Sequence, residues 1–153
     1  KLDIAGTLEN TVIAIVNDHY PYGLSKDSMD ELAGHKIESN FEKHRGAFIL
    51  WKQGLGPIEI DKPVSNFDIL PTISNLFGLD YDSRLLMGTD VFSDASPLII
   101  FNNRSWITDE EKYNSTAKHE NSDYEDMINK IVADKFKYST KVLDTDYYRE
   151  ILP

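Results

Sequence analysis

One uninterrupted apolar run most constrains what this chain can fold into. Residues 11–16 are Thr-Val-Ile-Ala-Ile-Val, a run that is rich in β-branched side chains and lacks the alternation of a strand with one face in water. The run therefore predicts a central strand that is covered on both faces. Asp18 and His19 follow directly, where α/β proteins place their chemistry, at the carboxyl ends of strands. Both side chains can ligate a divalent metal ion.

Composition and charge exclude several classes of protein. The chain has 153 residues, of which 41% are apolar and 27% charged, as in an ordinary globular domain. No apolar run approaches the roughly 20 residues that a membrane-spanning helix needs. The formal net charge of −10 argues against nucleic acid as a partner, because such binding relies on clustered Lys and Arg. The lack of cysteine excludes disulfides, thiolate zinc sites and cysteine nucleophiles.

The beginning of the chain has neither an initiating Met nor a signal peptide. We therefore expect a segment of a longer protein, in which any membrane anchor lies upstream. No internal repeat, low-complexity tract or linker divides the sequence. Residues 1–153 are predicted to form a single unit.

Turn and capping residues delimit the first predicted elements. Residues 25–32 predict a short helix that ends near Gly34, and residues 47–51 predict a second strand, so that a β-α-β unit results. A further helix is predicted to begin close to Pro71, which is tolerated only in a first turn, and to end before Gly78.

The second half of the chain continues the alternation of strands and helices. Residues 97–101 and 105–108 predict two strands of a hairpin. Ser122 and Glu125 form a capping box that begins a long helix, which is predicted to fray near Asp144. The order of elements predicts an α/β fold.

Three segments, in this order, resemble the latter part of the sulfatase and lipoteichoic acid synthase family. They are residues 17–23 (Asn-Asp-His-Tyr-Pro-Tyr-Gly), 48–51 (Phe-Ile-Leu-Trp) and 67–78 (Phe-Asp-Ile-Leu-Pro-Thr-Ile-Ser-Asn-Leu-Phe-Gly).

Two later stretches are similar to the lipoteichoic acid synthase branch in particular. They are residues 86–93 (Leu-Met-Gly-Thr-Asp-Val-Phe-Ser) and 103–108 (Asn-Arg-Ser-Trp-Ile-Thr). The resemblance thus covers about residues 7–116 and leaves the terminal helix, about 121–150, outside it.

The resemblance implies an alkaline-phosphatase/sulfatase-like α/β fold, a sheet flanked by helices, of which this chain is a C-terminal fragment. It implies that the intact protein is a phosphoglycerol transferase on the extracellular face of the cell membrane. Its partners would be a lipid-linked phosphoglycerol donor and a polymer acceptor, with the membrane reached through an upstream anchor.

The resemblance also implies a metal cofactor. Asp18 and His19 correspond to two ligands of a divalent ion, with manganese expected and magnesium or zinc as alternatives. In the family, a threonine nucleophile and an acidic ligand come from segments that precede this strand. We therefore expect an incomplete site in this fragment, with poor metal affinity and no turnover.

Several alternatives stay open on the sequence alone. The protein could instead be a sulfatase or a phosphoethanolamine transferase, because these enzymes share the metal half-site, or a non-catalytic interaction module that keeps the fold. The Asp18-His19 pair could be an Asx turn with a solvated histidine.

Other polar and aromatic residues are given structural interpretations. Three further histidines are predicted to lie at the surface, namely His35, His44 and His119. Three aromatic residues near strand ends are predicted to be packed rather than to line a pocket, namely Tyr20, Tyr22 and Trp51. Asp68, Pro71 and Thr72 are predicted to position a helix.

Overall fold

The computed structural model describes residues 2–151, which form a mixture of helices and short antiparallel strands. This confirms the predicted α/β class. Contacts along the chain cluster in two compact units, Lys1–Ile58 and Glu59–Pro153. That residues 1–153 form a single unit stays a prediction. Within residues 2–151, no helix is long and apolar enough to cross a membrane.

The first unit contains two strands with two helices between them. These are β1 (Val12–Val16), α1 (Lys26–Ala33), α2 (Asn40–Lys43) and β2 (Phe48–Lys52). Helix α1 begins where the sequence predicts, because the Ser25 hydroxyl oxygen accepts a hydrogen bond from the Ser28 backbone N–H at 3.1 Å. It ends at Gly34, whose φ of 74° is left-handed.

The two strands of this unit pair antiparallel, with Val12 opposite Lys52 and Val16 opposite Phe48. The predicted β-α-β unit, whose strands would be parallel, is therefore wrong. An apolar run identifies a strand but carries no information about the direction of its neighbour. The pairing brings the loop that follows β1 to the same end of the sheet as the connection from α2 to β2.

The sheet of the first unit is largely open to solvent. Ile15 is 56% exposed, Ile49 52% and Trp51 41%, and none of residues 2–58 is buried. The prediction that β1 is covered on both faces is wrong for this chain. Its physical reason is the small size of the unit, since α1 and α2 have only eight and four residues and cannot cover the sheet.

The second unit holds the hydrophobic core. Its elements are α3 (Ile69–Leu76), β3 (Ile99–Ile100), β4 (Trp106–Ile107), β5 (Lys112–Tyr113), α4 (Asp123–Asp144) and α5 (Tyr147–Ile151). The core cluster joins strands to α4 through Ile100, Trp106, Ile128 and Val132. The Trp106 Nε1–H donates to Asn129 Oδ1 at 2.9 Å, so its polar edge is satisfied inside the core.

The predicted hairpin is confirmed, since β3 and β4 pair antiparallel. A third strand, β5, pairs with β4 in a stretch whose sequence is merely polar. Two residues are too few to give a periodic signal. Helix α4 is confirmed with its capping box, in which the Glu125 N–H donates to Ser122 Oγ at 3.1 Å and the Ser122 N–H donates to Glu125 Oε2 at 2.7 Å.

The turn that begins α3 is fixed by buried polar contacts, as predicted for Asp68 and Thr72. The Asp68 carboxylate accepts from the Ser65 N–H at 2.7 Å and the Ser65 hydroxyl at 3.0 Å. The Thr72 hydroxyl donates to the Asp68 carbonyl at 2.6 Å and accepts from the Val91 N–H at 3.0 Å. These residues hold the helix start against the segment around Val91.

Candidate metal centre

The predicted metal ligands, Asp18 and His19, lie on the loop after β1. This loop packs against the connection from α2 to β2. The Asn17 side chain lies so close to Gly46 that a Cβ there would be 1.8 Å from Asn17 Oδ1. The Lys43 ammonium lies 3.9 Å from the centroid of the Tyr20 ring, and the His44 ring meets the same ring edge-on at 4.9 Å between centroids. The α2–β2 connection thus supports the loop from one side.

Asp18 and His19 are brought together at this loop. The Asp18 Oδ1 accepts the His19 backbone N–H at 2.9 Å, and Asp18 Oδ2 lies 3.3 Å from His19 Nε2. The backbone bond reaches one residue along the chain, whereas an Asx turn reaches two. The side chains are 86% and 48% exposed respectively, so an ion from solvent can reach both.

The tautomer of the His19 ring follows from its second contact. Nδ1 lies 2.7 Å from the Tyr20 carbonyl oxygen. Because a carbonyl oxygen can only accept, Nδ1 carries a proton and donates it. In the neutral ring, Nε2 then has a free lone pair. A ring nitrogen that donates to a backbone carbonyl while the other ligates is the usual arrangement of metal-binding histidine.

The donor set fits a divalent ion. With a neutral ring, His19 Nε2 and Asp18 Oδ2 are two acceptors that face each other at 3.3 Å, and a cation, either a second ring proton or a metal ion, can bridge them. Ligand bonds of about 2.0–2.2 Å at bond angles of about 90–110° separate two ligand atoms by about 2.8–3.6 Å, a range that includes the observed distance. A nitrogen and a carboxylate oxygen suit zinc, manganese or magnesium.

In the part of the chain that the structure describes, no third metal ligand joins Asp18 and His19. Among residues 2–151, no group of three or more His, Cys, Asp or Glu side chains is arranged to hold a metal ion. Asp18 and His19 could therefore supply only part of a coordination shell.

The other histidines lie at the surface, as predicted. His35 forms an ion pair with Glu42, and His119 Nε2 lies 2.8 Å from Glu125 Oε1. The Glu42 carboxylate raises the pKa of His35 through a hydrogen bond and its charge. The pKa of Glu125 is lowered, first by the Ser122 backbone N–H and then by His119. Each glutamate lies in the first turn of its helix, Glu42 in α2 and Glu125 in α4.

Tyr22, which the sequence predicts to be packed, lies beside the predicted ligand His19. Its ring lies 4.4 Å from the His19 ring between centroids, and the residue is 69% exposed. The prediction that it is packed in a core is wrong, as it is for Trp51, because the small first unit has no core to receive them. The sequence signal for this contact is the position of Tyr22, three residues after the candidate ligand His19 in a turn that contains proline.

Comparison with known proteins supports the resemblance seen in the motifs. No family model matches the chain. Lipoteichoic acid synthases of Staphylococcus aureus, from strains USA300 and COL, are each 30% identical to it over 159 residues. The alignment covers 94% of this chain and 24% of each synthase. The chain thus spans about a quarter of the length of the curated relatives it matches.

Proposed function

Since this chain is a relative of the lipoteichoic acid synthases, we propose that it forms part of a metal-dependent phosphoglycerol transferase whose ion is held in part by Asp18 and His19. One observation carries the metal assignment. His19 Nε2 and Asp18 Oδ2 face each other at 3.3 Å, while the other ring nitrogen is occupied by the Tyr20 carbonyl.

The roles of the two side chains follow from their chemistry. Asp18 brings a negative charge to the ion and His19 a neutral nitrogen, so these two ligands cancel only one of the ion's two positive charges. A divalent ion, when bound, lowers the pKa of a hydroxyl nucleophile and neutralises charge on the phosphoryl oxygens. Positive charge is needed because the chain has a net charge of −10 and would otherwise repel an anionic substrate.

The proposal includes parts that lie outside this chain. The nucleophile is a threonine hydroxyl, and a further acidic ligand completes the shell of the ion, which is manganese, with magnesium or zinc as alternatives. The donor is a lipid-linked phosphoglycerol and the acceptor a growing polymer on the extracellular face of the cell membrane. This chain alone is then inactive and binds metal weakly, because two ligands do not complete a coordination shell.

Calorimetric titration with manganese tests the ligand assignment. Asp18→Ala and His19→Ala are compared with the matched surface variants Asp80→Ala and His119→Ala, both in this chain and in the longer protein that contains it. We expect tight binding by the longer protein, loss of that binding in the first two variants and no change in the controls. Unchanged binding in Asp18→Ala and His19→Ala would overturn the assignment.

Turnover by the longer protein tests the reaction. We expect the longer protein to release phosphoglycerol from its lipid donor, and we expect Asp18→Ala to abolish this release. Cleavage of a sulfate ester or transfer of phosphoethanolamine instead would favour the other enzymes that share this half-site. An absence of both metal binding and turnover would favour a non-catalytic interaction module.

A further inference from the structure

We propose that residues 20–22, Tyr-Pro-Tyr, form a clamp that fixes the tautomer and the orientation of the His19 ring, which makes Pro21 and Tyr22 positioning residues of the metal centre. This inference rests on the proposed function, because it concerns how the same histidine is prepared to ligate. The residues are called the Tyr-Pro-Tyr clamp below.

The backbone half of the clamp is the Tyr20 carbonyl. It accepts two hydrogen bonds, from His19 Nδ1 at 2.7 Å and from the Tyr22 backbone N–H at 2.8 Å. The second bond spans two residues and closes a γ-turn about Pro21. The φ that a proline ring imposes is close to the one that an inverse γ-turn requires. The direction of the carbonyl is therefore set by the turn and not by the imidazole.

The side-chain half of the clamp is the Tyr22 ring. It lies 4.4 Å from the His19 ring at an interplanar angle of 38°, and the Tyr20 ring meets it edge-on at 6.1 Å. Tyr22 is 69% exposed, so burial in a core does not account for its position. Its contact with the imidazole limits rotation of that ring about the bond to Cβ.

The clamp is itself anchored to the next part of the unit. The Lys43 ammonium covers the Tyr20 ring at 3.9 Å, and the His44 ring packs against its edge at 4.9 Å. Both residues lie where α2 ends and leads into β2. The turn is thus held at the end of the sheet even though it is exposed.

The clamp matters because imidazole has two neutral tautomers. Free neutral histidine favours the form with its proton on Nε2, which would block the nitrogen that faces Asp18. In the Nδ1–H form the ring has its bond of 2.7 Å to the fixed Tyr20 carbonyl, whereas the Nε2–H form would have only the longer contact of 3.3 Å to the exposed Asp18 carboxylate. The shorter bond selects the Nδ1–H form and leaves Nε2 free to ligate. The Tyr-Pro-Tyr clamp therefore prepares His19 before any ion binds.

The metal-free chain offers the direct test. Nitrogen-15 NMR of histidine-labelled protein, at a pH above the titration range of histidine, distinguishes the two tautomers, and His19→Gln identifies the signal. We expect the Nδ1–H form in the unaltered chain and in Tyr22→Phe, and a shift toward the Nε2–H form in Tyr22→Ala and Pro21→Ala. Tyr138→Ala, which removes a tyrosine that is 61% exposed on α4, should change nothing.

An Nε2–H form in the unaltered chain would overturn the proposal, as would tautomers that Tyr22→Ala and Pro21→Ala leave unchanged. Far-ultraviolet circular dichroism identifies a variant that fails to fold. If Tyr22→Ala does not fold, Tyr22→Phe is compared with Tyr22→Leu instead, because leucine keeps the bulk of the side chain but has no aromatic face. Tyr22→Leu is expected to shift the tautomer as Tyr22→Ala does.

Manganese affinity in the longer protein separates this proposal from the proposed function. Tyr22→Ala should weaken binding by about 10–100-fold, the usual effect of losing a group that orients a ligand, and Tyr22→Phe should restore it. If Asp18→Ala and His19→Ala leave manganese binding intact, the metal assignment fails while the tautomer result still decides the clamp. If those two variants abolish binding and Tyr22→Ala does not weaken it, the clamp alone fails.

Discussion

The buried carboxylate of Asp68 accepts the backbone N–H of Thr89 at 2.7 Å, twenty-one residues further along the chain. Its other oxygen is occupied by Ser65, so the carboxylate ties the start of α3 to a distant loop segment. The Lys135 ammonium from α4 donates to the Met87 carbonyl of that segment at 2.7 Å. Burial lowers the pKa of Lys135, and the charge of Asp68 partly opposes this shift. Three parts of the second unit thus meet around one carboxylate.

Replacement of Asp68 by Asn should destabilise the second unit. An amide has one oxygen where the carboxylate has two, so either Ser65 or Thr89 would face an NH₂ group and lose its acceptor. A buried donor without a partner costs about 1–3 kcal/mol. Urea unfolding followed by circular dichroism measures the loss. Asp80→Asn at an exposed position is the control, and an equal effect of the two variants would contradict the explanation.

Gly88→Ala should also destabilise this junction. A Cβ at Gly88 would lie 2.2 Å from the Phe67 carbonyl oxygen and 2.6 Å from the Asp68 nitrogen. Both are backbone atoms of a fixed turn, so the loop must move away, at a cost of about 1–3 kcal/mol or more. Gly56→Ala is the matched control, because a Cβ there has no neighbour within 4 Å. A thermal midpoint for Gly88→Ala that matches the control would refute the close approach.

The two tryptophans should contribute very differently to stability. Trp106 is fully buried with its N–H bonded to Asn129, whereas Trp51 is 41% exposed. Trp106→Ala should cost about 3–5 kcal/mol in the free energy of unfolding, and Trp51→Ala clearly less. Denaturant unfolding measures both, and fluorescence should assign the shorter emission wavelength to Trp106. Comparable losses would contradict a core confined to the second unit.

The ion pair of His35 and Glu42 should make the link between α1 and α2 depend on pH. The pKa of His35 is raised above 6.5 and that of Glu42 lowered below 4.5, each chiefly by their mutual hydrogen bond. The contribution of His35 is fully present below about 6.5 and is lost as pH rises through its raised pKa. The contribution of Glu42 is present above about 4.5 and is lost as pH falls through its lowered pKa. The pair is therefore strongest between these values.

An NMR titration of the histidine ring protons measures this pair. Glu42→Gln should return the pKa of His35 toward 6.5, and Glu38→Gln, which alters a nearby glutamate, is the control. If the pKa of His35 is unchanged in Glu42→Gln, the predicted pH range in which the pair is strongest loses its basis.

Local signals determined much of the secondary structure. The Ser25 cap, the capping box of Ser122 and Glu125 and the left-handed Gly34 all act within a few residues, so the sequence identifies the helices they delimit. The proximity of Asp18 and His19 is also local, because adjacent residues need no fold to meet.

Tertiary structure decided the features that depend on distant residues. Three such features are the direction of β2 relative to β1, the pairing of β5 and the bond from Asp68 to Thr89. Each joins two segments, and the sequence of one segment does not indicate which other segment it will contact. The exposure of β1 was likewise decided by tertiary structure, because the first unit has only two short helices and these do not cover the strand. The orientation of His19 lies between the two cases. The Tyr-Pro-Tyr sequence supplies the turn, but the support of Tyr20 by Lys43 depends on the antiparallel pairing that returns α2 to the same end of the sheet.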